Sequence, residues 1–297
     1  MWGGLALNMP ASSDKGGAPL PSSKLTSLKE AAQLVRDGDL ITISGITFFR
    51  NPMAFIAALI RGGRRGLSFV DREPGLGLDV LVASGSLSRV RAAMATFEHI
   101  GLAPSVRRAV ERGELEFLED TCGAVVAGLR AGAQGVPFMP VRGVTGSGLI
   151  PLHERAGTWK VMRDPFTGEE VIAVRAIEPD IAVIHVHVSD EYGNALIRGP
   201  RYEDELKARA ARRTIITAER VVPEDVMRKV AREEGGVLSA FSLNVEAVAE
   251  APEGAWPTGV YGLYAPDYRA VEEYYEAARE GRAAEWISSR LLGRWRA

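Results

Sequence analysis

The sequence predicts an α/β protein, with an open, mainly parallel sheet, helices on both faces and a helical C-terminal tail. Three observations predict it. Short apolar runs alternate with stretches of helical period from Lys24 onward, the pattern of βα units. Glycines cluster at the apparent carboxyl ends of the strands, as at Gly45, Gly101 and Gly143 to Gly148, where open α/β sheets bind ligands. No repeat of 20–50 residues is present that would signal a solenoid.

The elements follow in order. Met1 to Ser23 is rich in Gly, Pro, Ser and Ala without apolar period, so residues 1–23 read as a disordered leader and not as a signal peptide. Ser27 and Glu30 have capping-box spacing, and Leu28, Ala31, Ala32 and Val35 share one helical face. Gly38 ends that helix, and Leu40 to Ser44 is a buried strand. Asn51 and Pro52 open the next helix as N-cap and first residue. Leu67 to Asp71 is a strand, Leu78 to Ala83 a short helix, Val90 to Thr96 a strand and Pro104 to Arg112 a helix. Leu115 to Leu118 is a strand, Thr121 to Ala133 a helix, and Phe138 to Val141 a strand running into the Gly143–Gly148 turn. Leu152 to Glu170 reads as a polar β excursion. Core strands then resume at Val171 to Val174, Ile181 to Val188, Thr214 to Thr217 and Val245 to Ala249. Between them lie a turn at Asp190 to Asn194, a charged helix from Asp204 to about Arg212 with a solvated face, and a helix opened by Pro223. Residues 24–265 form the α/β domain. Residues 266–297 form a helical tail whose Tyr268, Tyr274, Tyr275, Trp286 and Trp295 exceed what a solvated helix needs, so it docks on the body or on a partner.

Composition narrows the class. The chain has 297 residues, 36 basic and 38 acidic, with a formal net charge of -2. That excludes a disordered chain and argues against an electrostatic nucleic-acid binder. A single cysteine excludes an intramolecular disulfide framework and a Cys-based zinc site. No apolar run reaches the roughly 18 residues of a membrane helix, and a cytoplasmic location is expected. Glycine stands at 32 of 297, above the usual share of about 7%.

Few residues carry chemistry on their own. Thr145-Gly146-Ser147-Gly148 exposes backbone N–H groups to an anion or oxyanion, or is a tight turn needing left-handed backbone. It matches neither a Walker loop nor a dinucleotide fingerprint. His185 and His187 lie two apart on a strand and face one side; without a third ligand they read as a buried or interface pair, and no metal site is expected. Cys122 opens a helix without an evident His partner and reads as a small buried residue. Glu98, at a strand's carboxyl end beside glycine, is placed for nucleophilic or acid/base work, or pairs with Arg107 or Arg108.

Taken together, these turns resemble the class I coenzyme A transferases, in particular the A (alpha) subunit of the glutaconate CoA-transferase type. The stretches that carry the likeness are Asp37 to Gly45 with Arg50-Asn51-Pro52, Gly113 to Glu116 followed by Leu129 to Phe138, Gly146 to Leu149, Pro179 to His185 with Asp190 to Asn194, and Tyr261 to Tyr264. They span about Leu25 to Tyr264. The resemblance implies an open α/β fold shared by A and B subunits in an A2B2 or larger assembly. It implies ping-pong transfer of CoA between an acyl-CoA and a small carboxylic acid through a glutamyl-CoA thioester, with the nucleophilic Glu on the B subunit. No tightly bound cofactor is implied; the CoA thioester is substrate. Neither nucleic acid nor membrane is an expected partner. Gly45, Arg50 and Asn51 would line the substrate site from the first strand turn, Cys122 would face it, and Thr145, Gly146, Ser147 and Gly148 would offer backbone donors. Relatives often carry Gln where Cys122 stands, and a related ring-opening hydrolase places a catalytic Glu there. Glu98, in Glu98-His99-Ile100-Gly101, loosely resembles the B-subunit nucleophile motif, so a direct catalytic role is expected of it. The rival expectations are a subunit of a CoA-thioester-dependent ring-opening hydrolase and a non-catalytic CoA-ester-binding subunit.

Overall fold

The computed structural model describes residues 22–238 and 243–295; most of the expected leader, residues 1–21, lies outside them. Ser27 caps the first helix, α1 (Leu28–Gln33), in a full capping box with Glu30. Two hydroxyls and one backbone N–H donate to Glu30 and hold its carboxyl at about 2. Then follow β1 (Leu40–Ile43), α2 (Met53–Arg61), β2 (Leu67–Asp71), α3 (Leu76–Ala83), β3 (Leu87–Ala92), α4 (Pro104–Glu111), β4 (Glu116–Glu119) and α5 (Cys122–Gln134). After β5 (Phe138–Val141), α6 (Ile150–Arg155), β6 (Trp159–Arg163) and β7 (Glu170–Arg175) come β8 (Ile181–Asp190), β9 (Ala195–Leu196), α7 (Asp204–Ala210), β10 (Arg213–Val222), α8 (Glu224–Glu233), β11 (Val237–Leu238), β12 (Val245–Glu250) and α9 (Tyr268–Arg279).

Seven strands pair in parallel in the order β12, β10, β8, β1, β2, β3, β4. The short β9 and β11 add an antiparallel edge beyond the end of β1. Side-chain alternation places the two cores. Ile181 and Val183 face the layer of α1 to α4, whereas Ala182, Ile184 and Val186 face the opposite side with α7, as the two-residue period of a strand requires. The chain leaves β1 toward β2 on one side and pairs it with β8 on the other. The crevice above β1 is therefore a topological switch point.

Several elements differ from expectation. Phe138–Val141 and the strand at Val171 are not part of the parallel sheet. They form a separate antiparallel sheet, β5-β7-β6, closed over Trp159, Ile172 and Val174 as its own small core. The expected β excursion opens with a helix, α6. The strand expected to run to Thr96 stops at Ala92, because the N–H groups of Ala93 and Met94 both turn back to the Arg72 carbonyl. Asn51 does not cap α2, whose cap position is Pro52; its side chain accepts instead from the Gly77 N–H at 2.8 Å. The charged helix α7 is not a solvated face, since Asp204 and Lys207 are fully buried.

The C-terminal helix packs into the main core. Val271, Tyr274 and Ala278 of α9, together with Trp286 and Leu291, are buried with residues of α2 to α4. The Tyr274 hydroxyl donates to Asp79 at 2.8 Å, and Asp79 also accepts the Ser105 and Val106 N–H groups that open α4. Tyr274→Phe should therefore cost about 1–3 kcal/mol by leaving Asp79 short of a donor. Amide exchange should show faster opening of α9; unchanged protection there would contradict this.

Candidate active site

The backbone from Gly45 to Arg50 forms a tight loop at the carboxyl end of β1, and sequence chemistry fixes its shape. A Cβ at Gly45 would fall 1.9 Å from the Phe49 carbonyl oxygen, and one at Gly75 only 2.3 Å from the Thr47 Cα. Both glycines have left-handed φ, +84° and +58°. The glycine excess thus has a use here, in close backbone approach. Gly75→Ala would push the loop out of place. It should lower turnover about tenfold or more while destabilising the fold by over ~1 kcal/mol; wild-type kinetics in this variant would refute the close-packing account.

Arg50 and Asn51 lock the loop from beneath. Arg50 is 1% exposed. Its guanidinium lies 2.6 Å from the Asp204 carboxylate and donates to the His185 and Pro200 carbonyls. The other Asp204 oxygen accepts the Gly45 N–H at 2.9 Å. The Ser44 hydroxyl donates to the Arg50 carbonyl and accepts the His185 N–H. The loop backbone is also tied to Gly259 through Arg50 N–H and Phe48 C=O. Arg50 and Asn51 therefore stand below the cavity, not in its wall. Next to them, Lys207 donates to Asp71 and to the Ile43 carbonyl, at 2.9 Å each, closing a second buried ion pair under β1 and β2.

Above the loop lies a 280 Å³ cavity walled by Ile46, Phe48, Phe49, Tyr202 and Tyr268, with Glu98 at its edge. Glu98 is not at a strand end. It opens a short turn, Glu98–Ile100, beyond the end of β3. Its carboxylate accepts the Thr47 hydroxyl at 2.9 Å and lies close enough to the carboxyl of Glu73 for the two to interact. Arg107 and Arg108 do not pair with it: the first bridges Glu111, and the second donates to carbonyls at the end of α9. Among the described residues, six non-glycines have left-handed φ, and Thr47, Arg50, Glu98 and Tyr202 are four of them. Strained backbone gathered at one cleft is a mark of a functional site.

Glu73 is the residue that sequence reasoning missed. It follows Asp71 at the carboxyl end of β2 and is 8% exposed. Burial, followed by the charge of Glu98, pushes its carboxyl above the usual range. Arg72 beside it reaches Glu73 at 3.5 Å and Glu203 at 3.0 Å. A carboxyl whose folded pKa is raised holds its proton more tightly in the folded state. Its contribution therefore falls as pH rises from the ordinary carboxylate range through the folded value. Glu73→Gln should abolish that fall, gaining stability at neutral pH and none in acid; a stability–pH profile parallel to wild type would refute the assignment.

Cys122 is exposed, not buried, and sits at the start of α5 behind the Thr121 cap. Ala124, two residues on, packs with Val144, Leu149 and Ile150. This places the Thr145–Gly148 turn over the α5 side of the sheet, where it does not line the Glu98 cavity. Gly143 and Gly146 have left-handed φ, and the Ser147 N–H is spent on the Val144 carbonyl. His185 meets Thr217 and Glu219, while His187 meets the Tyr261 carbonyl and the Arg198 N–H. Among the described residues no group of three or more His, Cys, Asp or Glu is placed to hold a metal ion, and no helix is long and apolar enough to cross a membrane.

A family profile described as coenzyme A transferase matches residues 25–235. The chain belongs to the coenzyme A transferase family. It is 34% identical over 276 residues to an uncharacterized protein of Archaeoglobus fulgidus, covering 92% of this chain but only 60% of that protein. It is 31% identical to the A subunit of 3-oxoadipate CoA-transferase from Pseudomonas knackmussii, over 91% of this chain and 94% of the relative. It is 32% identical to the cholesterol ring-cleaving hydrolase IpdA subunit of Mycobacterium tuberculosis, over 86% and 88%. Among solved structures, glutaconate coenzyme A-transferase from Acidaminococcus fermentans superposes with a TM-score of 0.84 at 26% identity, covering 91% of this chain and 89% of that one. A variant of the decarboxylase AibA/AibB superposes at 0.81 with 33% identity, over 92% and 100%. The sequence resemblance to the A subunits of CoA-transferases and the α/β fold it implied are thus confirmed. These relatives carry three different reaction names on one fold, so activity has to be argued from the site.

Proposed function

We propose that this chain is the A subunit of a heteromeric CoA-transferase that moves CoA between an acyl-CoA and a small organic acid. The observation that carries the reading is the strained, aromatic-walled cavity at the switch point, with Thr47 and Glu98 joined at its edge. The subunit names of the relatives support a B-type partner, in an A2B2 or larger assembly. A glutamate carboxylate of that partner attacks the acyl-CoA carbonyl. The C–S bond breaks, CoA leaves as thiolate and an acyl–glutamyl anhydride remains. The thiolate then attacks the glutamyl carbonyl, releasing the donor acid and leaving a glutamyl-CoA thioester. The acceptor acid repeats the two steps in reverse, and no net proton is needed. Nucleophilic catalysis of this kind splits one exchange into easier halves.

This chain supplies the shape of the acyl site. Gly45, Arg50 and Asn51 set the loop, Thr47 orients Glu98, and Glu98 faces the reacting carbonyl. The Thr145–Gly148 turn, outside that cavity, and the exposed Cys122 on the same side of the sheet would meet another part of the CoA ester. The chain is to be purified with a B-type partner and supplied with acyl-CoA and free acid. CoA exchange and a borohydride-sensitive thioester on the partner are expected; no exchange with any small acid would overturn the reading.

One observation favours a second reading. Glu73 and Glu98 form a carboxyl pair on this chain, where a carboxylate base could activate water. Consumption of a CoA ester without acceptor acid, with oxygen from labelled water in the product, would establish the hydrolase in place of the transferase.

A further inference from the structure

Resting on that reading, we infer that the acyl group taken by this wall of the site has no second carboxylate: the substrate is a monocarboxylic acyl chain with an alkyl or aryl body. Among the described residues that line the 280 Å³ cavity, none is Lys or Arg. Arg50, next in sequence to the lining Phe49, and Arg72, beside Glu73, are already committed. Arg72 is held by Glu73 and Glu203, and Arg50 is sealed 1% exposed against Asp204. The ionisable groups that do face the cavity are Glu98, with Glu73 behind it, His99, Tyr202 and Tyr268.

A distal carboxylate entering here would lose water without gaining a Lys or Arg counter-ion and would meet Glu98. Burying an unpaired charge is costly, and like charges set close add to the cost. The remaining wall suits the opposite chemistry. Phe48 and Tyr268 meet edge to face at 6.0 Å, and Phe48 and Phe97 at 5.8 Å, giving a rigid apolar surface for an alkyl or aryl group. The volume fits an acyl group and not the whole of a CoA ester, for which drug-sized pockets of roughly 300–1,000 Å³ set the scale.

Pentanoyl-CoA and glutaryl-CoA differ by one terminal carboxylate on a five-carbon chain, so they test this directly. With the chain bound to its B-type partner and acetate as acceptor, kcat/KM should favour pentanoyl-CoA by about tenfold or more. His99→Arg, which puts a cation on the exposed rim, should move that ratio toward glutaryl-CoA by about tenfold. Equal or better use of glutaryl-CoA by the wild type would overturn the inference, and so would an unmoved ratio in His99→Arg. If neither ester exchanges CoA with acetate or any other acid, the transferase reading fails. Calorimetry with the same two esters then decides the substrate class alone: tighter pentanoyl-CoA binding supports it, and equal or tighter glutaryl-CoA binding overturns it.

Discussion

Arg50→Met should lower the stability of the fold by about 3–5 kcal/mol, the usual cost of stranding one partner of a buried ion pair. The arginine is 1% exposed, lies 2.6 Å from Asp204 and donates to two carbonyls. Removing it leaves a buried carboxylate with the Gly45 N–H as its chief donor. The Pro200 and His185 carbonyls each lose the guanidinium as a partner. Adding Asp204→Leu should recover part of the loss, because a double apolar replacement removes the stranded charge. Urea unfolding measures both. A loss below ~1 kcal/mol in the single variant would mean that the pair is relaxed by water and does not hold the loop.

On the hydrolase reading, in which Glu98 serves as the carboxylate base, Glu98→Gln should lower turnover by about 10²–10⁴-fold, the range for a positioned acid/base group, with the fold intact because the amide keeps the carboxylate's shape. Its carbonyl can still accept from Thr47, so orientation survives while charge and basicity are lost. The loss should fall on kcat, with KM little changed. Thr47→Val, which leaves the carboxylate but removes its anchor, should give a smaller loss. Unchanged turnover in Glu98→Gln, assayed with the partner chain, would remove Glu98 from the chemistry.

The order of helices and strands was legible because period and capping residues report local structure. The Ser27 capping box, the Leu67–Asp71 strand and the helix opened by Cys122 stand where the sequence puts them. Sheet membership was not legible. Nothing in Phe138–Val141 distinguishes a strand of the parallel sheet from one of a separate antiparallel sheet, because that difference lies in partners far along the chain.

The same holds for the charges of α7. Asp204-Glu205-Leu206-Lys207 reads as a solvated turn until Arg50 and Asp71, more than a hundred residues earlier, are seen to meet it. The Gly45 turn and Glu98 could be picked out by residue type and by resemblance. Glu73 could not. The one signal pointing to it was its place two residues after the Leu67–Asp71 strand, at a carboxyl end, next to an arginine.

The stitching of the two ends of the fold has a consequence for biosynthesis. Leu25, near the start of the described chain, bridges to Val248 in the last core strand, and Tyr274 and Trp286 complete the cluster around α3 and α4. A nascent chain emerging from the ribosome therefore carries an unfilled apolar face until α9 and the helical segment of Trp286 have been made. A premature stop anywhere upstream of α9 yields a sticky fragment for chaperones and proteases to clear.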